Sequence, residues 1–438
     1  MSDPDLLRGR LVEAWRRSDA IFDLVPTELI TEQPIELRHP ILFYVGHLPA
    51  FAWNQVMYGM FGERSHRPEL DDLFERGIDP VGVDRHEPQV DWPTLEEVLG
   101  YRDRVRETLL GAVDRVAERA PHDRLADRGR IFSVVLEHEL MHQETLLYML
   151  QQMPPEQKQR PEAMPGYALG GGGPEGRVRI GGGEVCLGAD IDQVEFGWDN
   201  EFPPLDVRVD GFEIDRTPVR NGAFLEFVGA GGYRRPELWW EDDWRWRERQ
   251  GIEHPAVWEL DDGTWRYRTM FDRLPLESVL DWPVFVSRAE ASAFCRWRGG
   301  RLPTEAELQR AGYTTPDGGS RPYPWGDAPP GPEHGNFDLR RWAPMPVGTH
   351  PAGDSGWGVA DLVGDGWEWT ETPFRPFPGF EPYIRSYPGY SADFFDDLHQ
   401  VILGASWATP AGLIRRTFRN WFQGHYPYVF ATFRVVGG

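Results

Sequence analysis

Cysteine is nearly absent from this chain: there are two in 438 residues, Cys186 and Cys295, far apart. That scarcity excludes a disulfide framework and any CxxC zinc or redox motif, and both thiols read as buried side chains. Basic charge is also in short supply. The 46 lysines and arginines face 70 acidic residues, for a formal charge of −24 and a pI near 4.9. Favourable release of counterions from a phosphate polymer requires clustered cations, so nucleic acid is not an expected partner. No run of about 18 apolar residues occurs. The opening stretch, MSDPDLLRGRLVEAWRRSD, has acidic groups where a signal peptide carries a basic end and an apolar core. The expectation is a soluble, cytoplasmic chain with no membrane partner. No repeat of fixed period is visible either, which disfavours propellers and solenoids.

What is present is enough apolar material, 40% hydrophobic and 13% aromatic, to fill the cores of two or three domains. From about residue 4 to 152, apolar residues recur at three- and four-residue spacing in four segments, which predicts a four-helix bundle. Thr94 followed by Glu97 reads as a capping box for the third helix, delivered by the turn Asp91-Trp92-Pro93. The stretch MPPEQKQRPEAMPGYALGGGGP then has too much proline and glycine to continue a helix. The expected organisation is a helical domain over 1–153, a linker over 154–174 and a second domain over 175–438. In that second part, short strand-like runs such as VRIGGGEVCLGA, PLDVRVDGFEIDRTPV and VILGASWATPA are separated by Gly-, Pro- and Trp-rich loops, with short helices at NGAFLEFVGAG and SRAEASAFCRWRG. A loop-rich α+β domain follows.

The fourth helical segment contains Glu137-His138-Glu139-Leu140-Met141-His142. Residues four apart share one face of a helix, so His138 and His142 can reach one ion. The same letters match HExxH, in which the glutamate of a zinc peptidase acts as general base. That reading requires a third ligand downstream, and the next histidine is His254, beyond the linker. Upstream, His47 stands in Gly46-His47-Leu48-Pro49-Ala50-Phe51, on an apolar and aromatic helix. Leaving such a polar ring without a partner costs roughly 1–3 kcal/mol. Coordination would satisfy it, as would a backbone carbonyl. His39, before Pro40, reads as a capping or supporting residue. Three neutral imidazoles suit iron, copper or zinc, so the ligand set alone names no metal.

These residues, with further segments, resemble the ergothioneine sulfoxide synthases and their ovothiol and selenoneine relatives. HPILFYVGHLPAFAWN and EHELMHQETLLYML look like the two iron-binding helices of a DinB-like domain. FGWDNEFP, RLPTEAELQRAG, GWGVADLVGDGWEWTETPF, LGASWAT and FRNWFQGHYPYVFATFRVV are similar in order and spacing to a formylglycine-generating-enzyme-like domain of C-type-lectin-like fold. The resemblance implies a non-haem Fe(II) enzyme that uses dioxygen to join a thiol or selenosugar donor to the imidazole of hercynine, the trimethylammonium betaine of histidine. It implies His47, His138 and His142 as iron ligands. Tyr383, in the loop Gly379-Phe380-Glu381-Pro382-Tyr383, matches the tyrosine that serves the iron-bound oxygen, with Tyr387 and Tyr390 close by. Asn420 and Trp421 match residues that line the hercynine pocket.

Physical chemistry agrees with these roles. A quaternary ammonium offers no hydrogen bond and is best held by aromatic faces, and Trp421, Phe422, Tyr426 and Tyr428 stand in one C-terminal stretch, of which Tyr426 and Tyr428 read rather as filling the core of a Trp-rich domain. A phenol with a pKa of about 10 is competent as a proton donor. The chain also departs from the branch that uses γ-glutamylcysteine, having Phe422 where that branch has an aspartate and Met141 where it has a glutamine. The Asn-Trp-aromatic form and the segment FERGIDPVGVDRHEPQVDWP look closer to branches that use cysteine or a selenosugar. Formylglycine generation would need a reactive cysteine pair near the C-terminus, and the last cysteine is Cys295. A zinc peptidase and a non-catalytic lectin-like binding protein remain as alternative readings.

Overall fold

The structure is a computed structural model that describes residues 3–75, 90–119, 122–385 and 387–437. The chain divides into two compact units. One comprises Met1–Pro161 with Pro382–Pro388, the other Glu162–Glu381 with Gly389–Gly438.

Among the described residues, the first unit contains the four expected helices, the short Pro68–Phe74 helix and single turns at Thr27–Leu29, Asp127–Gly129 and Pro155–Gln157. The Pro4–Phe22 helix is capped by Asp3 and buries Leu7, Leu11, Ala14, Trp15, Ser18 and Ile21, a stripe at helical spacing. The Ile41–Trp53 helix differs, being buried at every position. Pro49 within it lacks the N–H that would bond the Val45 carbonyl. The helix continues through a π-helical turn at Asn54–Tyr58 and ends at Gly62, which adopts a left-handed φ of 71°. The short Pro68–Phe74 helix packs against it. Leu95–Ala117 starts with the expected capping box: Thr94 Oγ1 accepts from the Glu97 N–H at 3.3 Å, and Glu97 Oε2 accepts from the Thr94 N–H at 3.0 Å. Arg130–Gln152 carries the HExxH letters and is followed by Met153 in extended conformation and Pro154. No helix among the described residues is long and apolar enough to cross a membrane.

The second unit is held by two four-stranded sheets. In one, Arg177–Ile180, Phe212–Asp215, Val436–Gly437 and Gly300–Arg301 are neighbours in that order. In the other the order is Asn420–Gln423, His399–Ala405, Gly366–Pro373 and Ala431–Thr432, the last pairing in parallel. Ile180, Ile214, Leu308, Val359, Phe374, Val401, Leu403 and Val436 form the shared core. Helices occur as expected at Asn221–Gly229 and Arg288–Trp297, the latter with its own capping box from Ser287 and Glu290. Sequence reading missed the Glu241–Gln250 helix and the three-stranded meander Trp258–Asp261, Thr264–Arg268, Arg273–Pro275. The hairpin signal was there: Asp262-Gly263, both with positive φ, joins the first two strands of that meander.

Ion pairs tie the family-like segments to distant parts of the chain. Glu201 of FGWDNEFP takes Arg415 and the Thr417 hydroxyl. Glu305 of RLPTEAELQRAG takes Arg419 at 2.7 and 3.1 Å. Glu368 of GWEWTE takes Arg434 at 2.5 and 2.6 Å, and Arg434 also donates to the Asp215, Arg216 and Ala360 carbonyls. Both members of that last pair are fully buried. Removing one member of such a pair strands the other charge in a low-dielectric interior. Arg434→Met is therefore expected to destabilise the protein by about 3–5 kcal/mol, and the double change Arg434→Met with Glu368→Gln to recover part of the loss. A urea-unfolding midpoint that does not move in the single variant would refute the assignment.

Candidate metal centre

The Ile41–Trp53 and Arg130–Gln152 helices bring His47, His138 and His142 together in the first unit. One ligand-capable atom from each lies within 4.8 Å of the other two, and all three side chains are buried. The His47 ring is fixed by its Nδ1, which stands 2.8 Å from the Phe74 carbonyl. A carbonyl can only accept, so the proton sits on Nδ1 and the Nε2 lone pair is free. That Nε2 is buried with no hydrogen-bond partner. His138 Nε2 and His142 Nε2 stand 3.1 Å apart. Two facing lone pairs at that distance require a shared proton or a shared cation.

The local packing explains why the rings hold these positions. Phe51 stacks on His138 with centroids 3.5 Å apart and planes 6° from parallel. Phe43 stacks on His47 at 4.9 Å, and His39 lies 4.4 Å from the Phe43 ring, one ring removed from the centre. Gly46 is the residue sequence reasoning passed over. Glycine inside a helix costs about 0.5–1 kcal/mol relative to alanine, so it needs a reason. Any Cβ on Gly46 would collide with the Phe74 ring. The bare backbone thus lets Phe74 close onto the helix, which brings its carbonyl to the neighbouring His47. Phe74 ends its own helix, where carbonyls lack an intrahelical partner and are available to such a donor.

Burial also sets the protonation state. Desolvation pulls His47 from its ordinary value down to about 4, against the favourable Phe74 bond. Desolvation, followed by mutual repulsion among the rings, takes His138 and His142 well below the usual histidine range. The imidazoles are therefore neutral near pH 7, which is the form that ligates a metal. An unpartnered Nε2, two facing ring nitrogens and three neutral donors fit a divalent transition ion. Glu139 does not complete a peptidase. Its carboxylate accepts from the Ser18 hydroxyl at 2.5 Å, with Gln143 bridging Ser18 to the Ala14 carbonyl, so it faces the Pro4–Phe22 helix.

The remaining expected residues fall in different places. Tyr383 and Tyr387 both belong to the Pro382–Pro388 segment of the first unit. The Tyr387 ring lies 5.3 Å from Phe51, edge to face, one ring from His138. Tyr383 is half-buried on that segment. Tyr390 belongs to the second unit, where it stacks on Trp198 at 3.8 Å and meets Trp421 edge-on at 5.2 Å. Met141 is half-buried on the helix of His138 and His142. Asn420, Trp421 and Phe422 lie on one strand, paired with His399–Ala405. Trp421 stacks on Phe374 at 4.2 Å, whereas Phe422 stacks on Tyr426 at 5.5 Å, with Tyr428 edge-on at 5.1 Å from Tyr426. Trp421 and Phe422, adjacent in sequence, therefore fall into two aromatic groups, because successive strand residues point to opposite faces. Most of FERGIDPVGVDRHEPQVDWP, namely 76–89, lies outside the described residues.

Comparison with known proteins places the two units. Residues 10–146 match the DinB superfamily, and 172–437 match the Sulfatase-modifying factor enzyme 1-like domain. The hercynine oxygenase of Mycolicibacterium thermoresistibile is 34% identical, the match covering 98% of this chain and 94% of that protein. That of Mycolicibacterium smegmatis is 36% identical over 84% of this chain and 83% of its own length. Ergothioneine biosynthesis protein 1 of Neurospora crassa is 30% identical over 97% of this chain, which spans only 57% of that longer relative. With a DinB-type helical region followed by a sulfatase-modifying-factor-type domain, and with such similarity along nearly its whole length, the chain belongs to the hercynine oxygenase family of ergothioneine biosynthesis.

Proposed function

We propose that this protein is a non-haem Fe(II), dioxygen-dependent oxidoreductase that forms a carbon–sulfur or carbon–selenium bond on the imidazole ring of hercynine. The observation that carries the proposal is the convergence of three neutral, buried imidazoles, with ligand atoms within 4.8 Å, in a chain similar to hercynine oxygenases from end to end. His47, His138 and His142 would hold the iron, whose open coordination positions supply activation of dioxygen and a place for the donor. The Phe74 carbonyl keeps His47 in the Nδ1–H form and adds to its basicity. Phe51 and Phe43 keep water away from the ring faces they cover.

The other roles follow chemistry available to each side chain. Trp421 presents an indole within an aromatic group that includes Phe374, Tyr390 and Phe394, suited to a trimethylammonium cation. Asn420 accepts from the Trp421 N–H through its Oδ1 at 2.9 Å, which orients its Nδ2 as a donor for the hercynine carboxylate. Tyr383 is assigned as the proton donor by its place in the loop, and Tyr387 competes for that role through its contact with Phe51. Phe422 stacks with Tyr426 and offers no charge to a polar donor extension. With Met141, it favours cysteine or a selenosugar over γ-glutamylcysteine as co-substrate.

Replacing His47, His138 or His142 singly by alanine is expected to abolish both iron binding and turnover of hercynine; full iron occupancy by elemental analysis in all three variants would sink the proposal. Tyr383→Phe should leave iron bound while slowing bond formation or diverting the donor to simple oxidation, as product analysis by mass would register. If Tyr387→Phe alone has that effect, the role moves to Tyr387. Gly46→Ala should weaken iron binding about 10- to 100-fold through the displaced Phe74 carbonyl, and Phe74→Leu in the same chain should restore much of it. Equal iron affinity in Gly46→Ala and the parent would show that the carbonyl is unimportant. Offering hercynine with cysteine, γ-glutamylcysteine and a selenosugar in parallel identifies the donor directly, and preference for γ-glutamylcysteine would overturn the reading of Phe422 and Met141.

A further inference from the structure

Three buried carboxylates of the second unit, Glu201, Glu305 and Glu368, each have an arginine. Asp361 and Asp365 do not. They are 5% and 2% exposed, so each is more than nine-tenths buried. Asp361 Oδ2 accepts from the Gly348 N–H, and Asp365 Oδ1 accepts from Asn336 Nδ2 at 2.7 Å and the Met345 N–H at 2.8 Å. Among the described residues nothing donates to the second oxygen of either side chain. None of the neighbouring guanidinium groups among the described residues forms an ion pair with either aspartate: Arg341 donates to the Gly166 carbonyl, Arg434 holds Glu368, and Arg340 lies over the Phe337 ring with its buried Nη1 lacking a hydrogen-bond partner.

His350 completes the group. One of its ring nitrogens and one oxygen from each aspartate all lie within 4.8 Å of one another. Among the described residues, no hydrogen bond or ion pair joins His350 to either carboxylate. Its Nδ1 meets only the Thr349 hydroxyl, at 3.4 Å. Donors that share one small cation at bond lengths of about 2.0–2.2 Å stand roughly 3–4.5 Å apart, farther than hydrogen-bonded atoms. Two close, buried carboxylates with no cation would also repel one another. Spacing, burial and the lack of direct bonds therefore agree.

We propose that His350, Asp361 and Asp365 bind a divalent transition cation, of the zinc or manganese class, as a structural ion of the second unit. An imidazole among the donors argues against calcium or magnesium, which favour all-oxygen shells. The ion would fasten the loop before Pro351 to the Asp361–Asp365 turn that leads into the Gly366–Pro373 strand. This site uses no residue of the His47 centre and does not depend on the hercynine reading.

The test uses the full chain with His47, His138 and His142 all changed to alanine, so that metal at the first centre cannot contribute. After chelator treatment and exposure to zinc or manganese, this protein should retain about one equivalent per chain by elemental analysis, and its thermal unfolding midpoint should rise with the metal. Adding His350→Ala, or separately Asp365→Asn, should weaken that binding at least about 10-fold. Because His350 is only half-buried, its variant should unfold like the parent when metal is withheld. Absence of bound metal in the triple-histidine protein, or undiminished binding in both added variants, would overturn the proposal.

Discussion

The hydrogen bond from His47 Nδ1 to the Phe74 carbonyl is the constraint around which the helical unit is arranged. An imidazole has two nitrogens, and a buried one must account for both. Giving the proton side to a backbone carbonyl leaves the lone-pair side for a ligand. Phe74 reaches that position only because Gly46 carries no side chain, and its own helix ends there with a carbonyl to spare. The other two imidazoles come from a single helix face and need no comparable device, since four-residue spacing already aligns them. Phe43 and Phe51 cover the faces of His47 and His138, and burial of all three rings keeps them neutral.

In the second unit the dominant constraint is electrostatic. Segments far apart in the chain meet as carboxylate and guanidinium pairs, each burying charge that would be costly alone. This gives the family-like segments a reading different from catalysis. Glu201, Glu305 and Glu368 each belong to one of three such segments, and all three hold strands and loops in place. A fold of this kind hosts many activities, so its signature segments identify architecture before they identify chemistry.

Legibility from sequence followed the same division. The four helices, the Thr94 cap and the paired histidines were readable because period, cap chemistry and i, i+4 spacing are local properties. His47 was readable as a polar residue on an otherwise apolar helix. The role of Phe74 was not, because a backbone carbonyl leaves no trace in residue type. The direction of Glu139 was hidden too, since HExxH spells the same letters whether the glutamate faces a metal or a neighbouring helix. Trp421 and Phe422 were read as one group, although strand alternation separates adjacent residues. The cluster of His350, Asp361 and Asp365 rests on loop conformation, including positive φ at both aspartates, which composition does not announce.

The seven residues Pro382–Pro388 are grouped with a helical unit whose other residues end more than two hundred positions earlier. No single cut in the gene isolates the helical half intact, because part of it is encoded within the other half. Swapping one half between relatives would therefore carry along, or leave behind, a loop that belongs on the opposite side of the exchange. Inheritance of the two halves as one block is the arrangement least exposed to that mismatch.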